Sequence, residues 1–366
     1  MKFSIAKDGI LGELQLLQGI VEKRNTMPIL ANILIVAAED HVELTGTDLE
    51  VGLKTHFGAE VEQTGAITVS GKKIFEIVKS LSAAADVRFE QNENHMMEIT
   101  SGASQFKVLC LPKEDYPQVP EPKFENNIVL PLEKCKEMID RVYCAITQEQ
   151  RYYLNGALMI LKDGSIELIS TDGHRLAYTQ LPLESLQVGQ EIRGIVSKKT
   201  LNELRKFDDS DLIFDLDENN LFFRVQNRTL ISRVIEGKFP NYEAVIPEDN
   251  PHAIVLDREE VADAIRRVSL LSTERSKGIK FNIQKDRIVL FSSNPELGEA
   301  RDEVGIEYEG AEFEIGFNAQ YLLDFLTTVK AEKVRIELKD ENNAILMRTD
   351  EDDEIDYKYV LMPMKI

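Results

Sequence analysis

The chain of 366 residues contains no tryptophan, only three cysteines and only five histidines. Cys110, Cys135 and Cys144 form no metal-like pairs, and so sparse a set predicts reduced thiols rather than a disulfide framework. The five histidines fall at no metal-ligand spacing, so no metal and no cofactor is expected. Basic residues are also scarce: 43 Lys and Arg face 64 Asp and Glu, a net charge of −21. Such a field repels nucleic acid, which excludes a protein that coats it through bulk charge but not a local basic surface. No apolar run approaches the ~20 residues of a membrane span, so no membrane partner is expected. Met1-Lys2-Phe3-Ser4-Ile5 opens directly on an alternating strand pattern, without the apolar stretch of a leader, and predicts a cytoplasmic protein.

Enzyme signatures are missing as well. The Gly65 to Gly71-Lys72-Lys73 stretch has the wrong glycine spacing for a phosphate loop, and Lys73 stands where a magnesium-binding hydroxyl belongs. Asp215 to Asn220 lacks the glycine and the terminal glutamate of a calcium loop and reads as a hairpin turn. Asp172-Gly173-His174-Arg175 pairs a carboxylate with an imidazole, as a general base needs, but no nucleophile signature accompanies it. A tight turn using Gly173 explains it without chemistry. Catalytic residues are therefore expected to be none.

What the sequence does contain is a threefold repeat. Each third opens with a short strand and an amphipathic helix: Phe3-Ser4-Ile5 then Ile10, Leu14 and Leu17; Ile128-Val129-Leu130 then Cys135, Met138, Ile139 and Val142; Ile254-Val255-Leu256 then Val261, Ile265 and Val268. Apolar positions three and four apart mark one buried helical face. A strand pair then ends in a tag, Gly46-Thr47-Asp48, Ser170-Thr171-Asp172 or Ser293-Asn294. A second strand–helix follows at Lys72–Val78, Lys198–Leu204 and Ala319–Phe325. Prolines cluster at the seams: Pro112, Pro117, Pro120 and Pro122, then Pro240, Pro247 and Pro251. The expected fold is α+β, three domains at 1–121, 127–247 and 252–366, each with two helices on antiparallel sheet.

These residues identify a family. Met27-Pro28-Ile29-Leu30-Ala31-Asn32, Leu44-Thr45-Gly46-Thr47-Asp48-Leu49-Glu50, Arg151-Tyr152-Tyr153-Leu154-Asn155-Gly156, Thr171 to Ala177, Phe239-Pro240-Asn241-Tyr242, Ile315-Gly316-Phe317-Asn318 and the terminal Tyr359 to Ile366 span essentially the whole chain. Together they resemble the bacterial DNA polymerase III beta subunit family, the sliding clamps. The resemblance implies a head-to-tail homodimer whose six domains form a ring around double-stranded DNA without sequence specificity. It implies a non-catalytic processivity factor; the alternative is a non-encircling peptide-binding scaffold of the same fold.

By the same resemblance, Arg24, Lys73, Gln148, Tyr152, Tyr153, Lys198 and Lys199 match DNA-contacting positions. Lys72, Lys73 and Lys79 outweigh Glu76 on one repeat helix, and Lys198, Lys199, Arg205 and Lys206 outweigh Glu203 on another. A pocket for short linear motifs is implied at Leu154, Thr171, Gly173, His174, Arg175, Leu176, Pro240, Val245, Asn318, Tyr321, Val360, Leu361, Met362, Pro363 and Met364. Its implied partners are the DNA polymerase III alpha subunit, the clamp loader delta subunit, other DNA polymerases and mismatch-repair proteins. Ala244 stands where some family members carry arginine, a departure that removes one polar group from the pocket rim. Phe106 and the pair Leu270 and Leu271 match the family's dimer interface.

Overall fold

The computed structural model describes residues 1–21, 27–83, 85–92, 95–124, 128–147, 152–208, 210–274 and 276–365. The chain folds as two compact units that share the middle third of the sequence: Met1–Glu133 with Lys199–Val234, and Lys134–Lys198 with Ile235–Ile366.

Six α-helices are present among the described residues: α1 (Lys7–Ile20), α2 (Gly71–Ser80), α3 (Leu132–Tyr143), α4 (Lys198–Leu204), α5 (Arg258–Ser269) and α6 (Ala319–Thr328). Each follows immediately on a strand, which realises the six strand–helix steps read from the repeat. The local chemistry explains the starts. Asp257 accepts a hydrogen bond from the Glu260 N–H at 2.9 Å, and Asn318 accepts one from Gln320 N–H, also at 2.9 Å, satisfying donors that a helix start leaves open. The buried faces follow the apolar spacing: Ile10, Leu14, Leu17 and Ile20 on α1, and Val261, Ala264, Ile265 and Val268 on α5.

The first unit is built on a 13-stranded sheet in which every described pairing is antiparallel. The strand Val51–Gly58 pairs with Arg228–Arg233, Leu53 opposite Leu230, so the sheet runs directly from the first third of the sequence into the second. Asp211–Leu216 and Asn220–Val225 form a hairpin, and Asp217 accepts the N–H groups of Asn219 and Asn220 at 2.8 and 2.7 Å. That is the turn expected in place of a calcium loop. Inside, Phe3 and Phe89 stack with centroids 4.7 Å apart.

One buried ion pair fastens α1 to this sheet. Glu13 accepts from Arg228 Nη2 at 2.7 Å, from its Nε at 3.1 and 3.2 Å, and from the Thr55 hydroxyl at 2.7 Å. A carboxylate with this much of its surface out of water is tolerable only when paired and hydrogen-bonded.

The second unit carries an eight-stranded and a four-stranded sheet. Arg175–Pro182 pairs with the C-terminal strand Asp356–Leu361, Leu176 opposite Val360. This junction has the same form as the Val51–Gly58 junction in the first unit.

Replacing Arg228 with alanine strands the Glu13 carboxylate. A loss of about 3 kcal/mol is expected in the unfolding transition of the first unit, followed by urea titration. Glu13→Gln in the same background is expected to recover part of it.

Candidate functional site

The site starts from one turn. Gly173 has φ +88°, a left-handed conformation that costs an L-residue but not glycine. The Thr171 hydroxyl donates to Arg175 O at 2.7 Å and accepts from Gly173 N–H at 3.1 Å. Asp172 Oδ1 accepts the N–H groups of His174 and Arg175 at 2.9 and 3.0 Å, and its Oδ2 accepts from Arg175 Nε at 3.0 Å. The Asp172 carboxylate is thus committed to the turn and to Arg175, not to activating the exposed His174.

Arg175 itself is buried and points inward. Its Nη1 donates to Asp324 on α6 and, at 3.0 Å, to the Tyr359 hydroxyl on the C-terminal strand. Its Nη2 donates to Cys144 O just beyond α3, and its guanidinium lies 4.1 Å from the Tyr321 ring centroid. Burial and the Asp324 and Asp172 charges drive the Cys144 thiol up to about 11 against the lowering effect of Arg175, so it is protonated and unreactive near neutral pH.

Above this base lies a cleft of about 670 Å³. Of the expected pocket residues, Leu154, Thr171, Gly173, Arg175, Leu176, Pro240, Val245, Val360 and Met362 line it. The apolar wall continues into a cluster containing Leu158, Ile169, Tyr178, Phe239 and Tyr242, with Tyr178 and Tyr242 stacked at 6.0 Å. Val245 and Met362 are exposed, so the cleft offers apolar surface to solvent. Ala244 lines the rim and contributes only a methyl group there.

The remaining expected pocket residues, His174, Asn318, Tyr321, Leu361, Pro363 and Met364, are not part of the cleft's lining. His174 accepts the Met362 N–H on its carbonyl at 2.9 Å, Met364 donates its N–H to Gly316 O at 2.9 Å, and Pro363 lies between them. Leu361 is buried in the sheet, Asn318 caps α6, and Tyr321 supplies a carbonyl to the Tyr359 hydroxyl at 2.9 Å. Sequence reading missed the lining residues Asn342, Asn343, Ala344, Tyr242, Ile246, Pro247 and Asn250. Asp340 accepts the Asn342 and Asn343 N–H groups at 2.9 and 3.1 Å, an Asx turn that the Asp-Glu-Asn-Asn composition signals. Nothing in that composition says which groove the turn borders.

The residues expected to meet DNA are dispersed. Arg24 and Gln148 lie outside the described residues, and Tyr152 is described only through its backbone, in a short 3-10 turn. Tyr153 lines the cleft beside Leu154. Lys73 is exposed on α2 and donates to Glu76 at 3.0 Å, a bond that holds the Glu76 carboxyl below its ordinary range. Lys198 donates to Ile146 O at 2.9 Å and sits over the Tyr143 ring; burial and the nearby Arg175 charge push its pKa down. Lys199 reaches Ile20 O at the end of α1, at 2.8 Å, and the Asp48 carboxylate. Both lysines therefore serve backbone carbonyls as well as offering charge.

The expected interface residues lie on one partly paired strand and in the turn that ends α5. Phe106 is half-buried on Ser104–Leu111, whose pairing toward Gly65–Ser70 is confined to Leu111 and Cys110, and Leu109 on that strand is 70% exposed. Leu270, 76% exposed, and the half-buried Leu271 follow α5, near the edge strand Gly298–Gly305 with the exposed Leu297 before it. Among the described residues no group of three or more His, Cys, Asp and Glu side chains is placed to hold a metal ion, and no helix is long and apolar enough to cross a membrane.

Comparison with known proteins covers the chain end to end. Three family models match in order: the DNA polymerase III beta subunit N-terminal domain at residues 1–120, its central domain at 129–241 and its C-terminal domain at 243–365. The beta sliding clamp of Pseudomonas aeruginosa is 36% identical, with both chains fully covered. The crystal structure of the DNA polymerase III subunit beta from Pseudomonas aeruginosa superposes with TM-score 0.94 at 35% identity, again over all of both chains. The sliding clamp of Bacillus subtilis gives the same TM-score at 27% identity, with 100% of this chain and 99% of that one covered.

Arg175→Met is expected to leave the part-buried Asp172 and Asp324 carboxylates without the cation they share. The loss is about 3 kcal/mol, read from denaturant unfolding, and Arg175→Lys is expected to restore only part because it cannot serve four acceptors at once.

Proposed function

This chain belongs to the DNA polymerase III beta subunit family, and from that premise we propose that it is a DNA sliding clamp, a processivity factor that tethers a polymerase to its template. Two chains join head to tail, and their six domains close a ring around duplex DNA. It has no active site; its effect comes from confining a bound polymerase near DNA, which raises effective concentration without a new catalytic contact.

The observation that carries this reading is the cleft at Leu154, Leu176, Val360 and Met362, an apolar, solvent-open groove on a rigid base. A groove of that kind suits short peptide segments with large apolar side chains, and Met362 lets one surface adapt to several of them. The partners we assign to it are the polymerase III alpha subunit, the delta subunit of the clamp loader, other DNA polymerases and mismatch-repair proteins. Replication in the cytoplasm is the setting.

The open edges support the ring. An unpaired strand edge with exposed leucines is an aggregation template unless something covers it. Ser104–Leu111 with Phe106 and Leu109, and Gly298–Gly305 with Leu270, Leu271 and Leu297, are two different surfaces, as a head-to-tail contact requires. The exposed Lys72, Lys73 and Lys79 on α2 and Arg205 and Lys206 beyond α4 supply local positive charge within an acidic protein. Charge of that density holds phosphates weakly and lets the duplex slide.

The test is retention on DNA after loading by a matched clamp loader with ATP. Retention on a nicked circle, with rapid loss once that circle is cut at matched salt, is the expected result. Equal loss from both would overturn the encircling claim. Leu176→Glu is expected to weaken binding of a fluorescein-labelled peptide with adjacent Leu and Phe side chains by at least about tenfold. The same variant is expected to remain on the circle as long as the unaltered chain does.

A further inference from the structure

The first unit contains the same turn and the same strand junction as the cleft. The Thr47 hydroxyl donates to Val51 O at 3.1 Å and accepts from Leu49 N–H at 3.0 Å, and Asp48 Oδ1 accepts the N–H groups of Glu50 and Val51 at 2.9 and 2.7 Å. These are the bonds of Thr171, Asp172, Gly173 and Arg175, one for one. Leu49 takes the left-handed position at φ +79° that Gly173 holds in the second unit. Gly52 lies opposite Ile231 as Leu176 lies opposite Val360. The apolar wall is repeated as well: Leu30, Leu34 and Tyr116 form a cluster where the cleft has Leu154, Leu158 and Phe239.

The difference is what lies on top. In the second unit the chain after Pro240 turns into the short 3-10 segment Glu243–Val245 and leaves the groove open. In the first unit the chain after Tyr116 runs on across the strand. The Tyr116 hydroxyl donates to Thr45 O at 3.1 Å, and Lys54 donates to Glu121 at 2.8 Å, so the crossing segment is fastened at both ends. Between them Val119 sits on Gly52: a Cβ added at Gly52 would lie 3.1 Å from Val119 Cγ1. The position that carries Leu176 in the open groove is a glycine here, and the space is filled by a valine from the chain's own connection.

We propose that residues Tyr116–Glu121 are a built-in occupant of a second groove, the first-unit counterpart of the peptide cleft, and that this strap limits each chain to one receptive site. The proposal rests on the cleft's peptide-binding role. Its ligand chemistry is the same: an extended segment that places one apolar side chain on the strand next to the Thr-x-Asp turn. Val119 fills that role in cis, and an apolar peptide would fill it in trans once the strap is released.

Two variants release the strap by different routes. Val119→Gly with Glu121→Ala removes its anchor and its ion pair; Gly52→Leu pushes it off from below. Trypsin cleavage after Lys123 reads release, and titration with the labelled Leu-Phe peptide reads receptivity. The unaltered chain is expected to bind about one peptide, and both variants about two, with cleavage faster by at least about tenfold. With Leu176→Glu added, each variant is expected to keep about one site. Unchanged cleavage in both variants, or faster cleavage with binding still at one peptide per chain, would overturn the strap. Absence of any binding to the unaltered chain would instead overturn the cleft's role, and the strap proposal with it.

Discussion

A single guanidinium organises the second unit. Arg175 joins the turn through Asp172, α6 through Asp324 and Tyr321, the C-terminal strand through Tyr359 and the end of α3 through Cys144. These segments are far apart in sequence, and this one cation touches all of them, beside the direct contact of α6 with the C-terminal strand through Tyr321 and Tyr359. The physics is asymmetric. A buried charge bonded to four acceptors adds little net stability over an apolar substitute, but it restricts how those acceptors can be arranged. Packing alone would tolerate small slides between α6 and the strand; a planar guanidinium bonded to both at once resists them. The cleft above inherits that rigidity, because Leu176 and Val360 are the neighbours of Arg175 and Tyr359. Binding then needs little reorganisation of the floor.

The first unit solves the same problem with a different cation. Asp48 receives Lys199 where Asp172 receives Arg175, and the lysine also holds the last carbonyl of α1. The lysine is a point charge with fewer acceptors and ties fewer elements together. Glu13 and Arg228 supply the missing constraint between helix and sheet. The two units are thus alike in backbone and unlike in the wiring that fixes it.

Much of this was legible in the sequence. The six helices were visible because their apolar faces repeat at helical spacing and each follows a strand. The Thr-x-Asp tag was visible because its side chains make short-range bonds, and such bonds are encoded within a few residues. The strand junctions were not: Gly52 opposite Ile231 and Leu176 opposite Val360 depend on pairings across more than a hundred positions, and no local pattern specifies them. The cleft's lining at Asn342 and Asn343 was hidden for the same reason. Lys198 and Lys199 were legible as charge but not as helix-end ligands, since a basic residue looks alike in either role. Family resemblance supplied most of the cleft's near wall, while Tyr153 came with a different assignment from its place beside Leu154.

The strand Val51–Gly58 borders Arg228–Arg233 on one side, and Glu13 waits for Arg228. During synthesis those partners do not yet exist. A ribosome adding roughly 5–20 residues each second needs on the order of ten seconds or more to travel between the two strands. Throughout that interval the nascent chain carries an unclosed sheet edge and a carboxylate without its cation. The N-terminal third therefore reaches its final form only after most of the second third has been made.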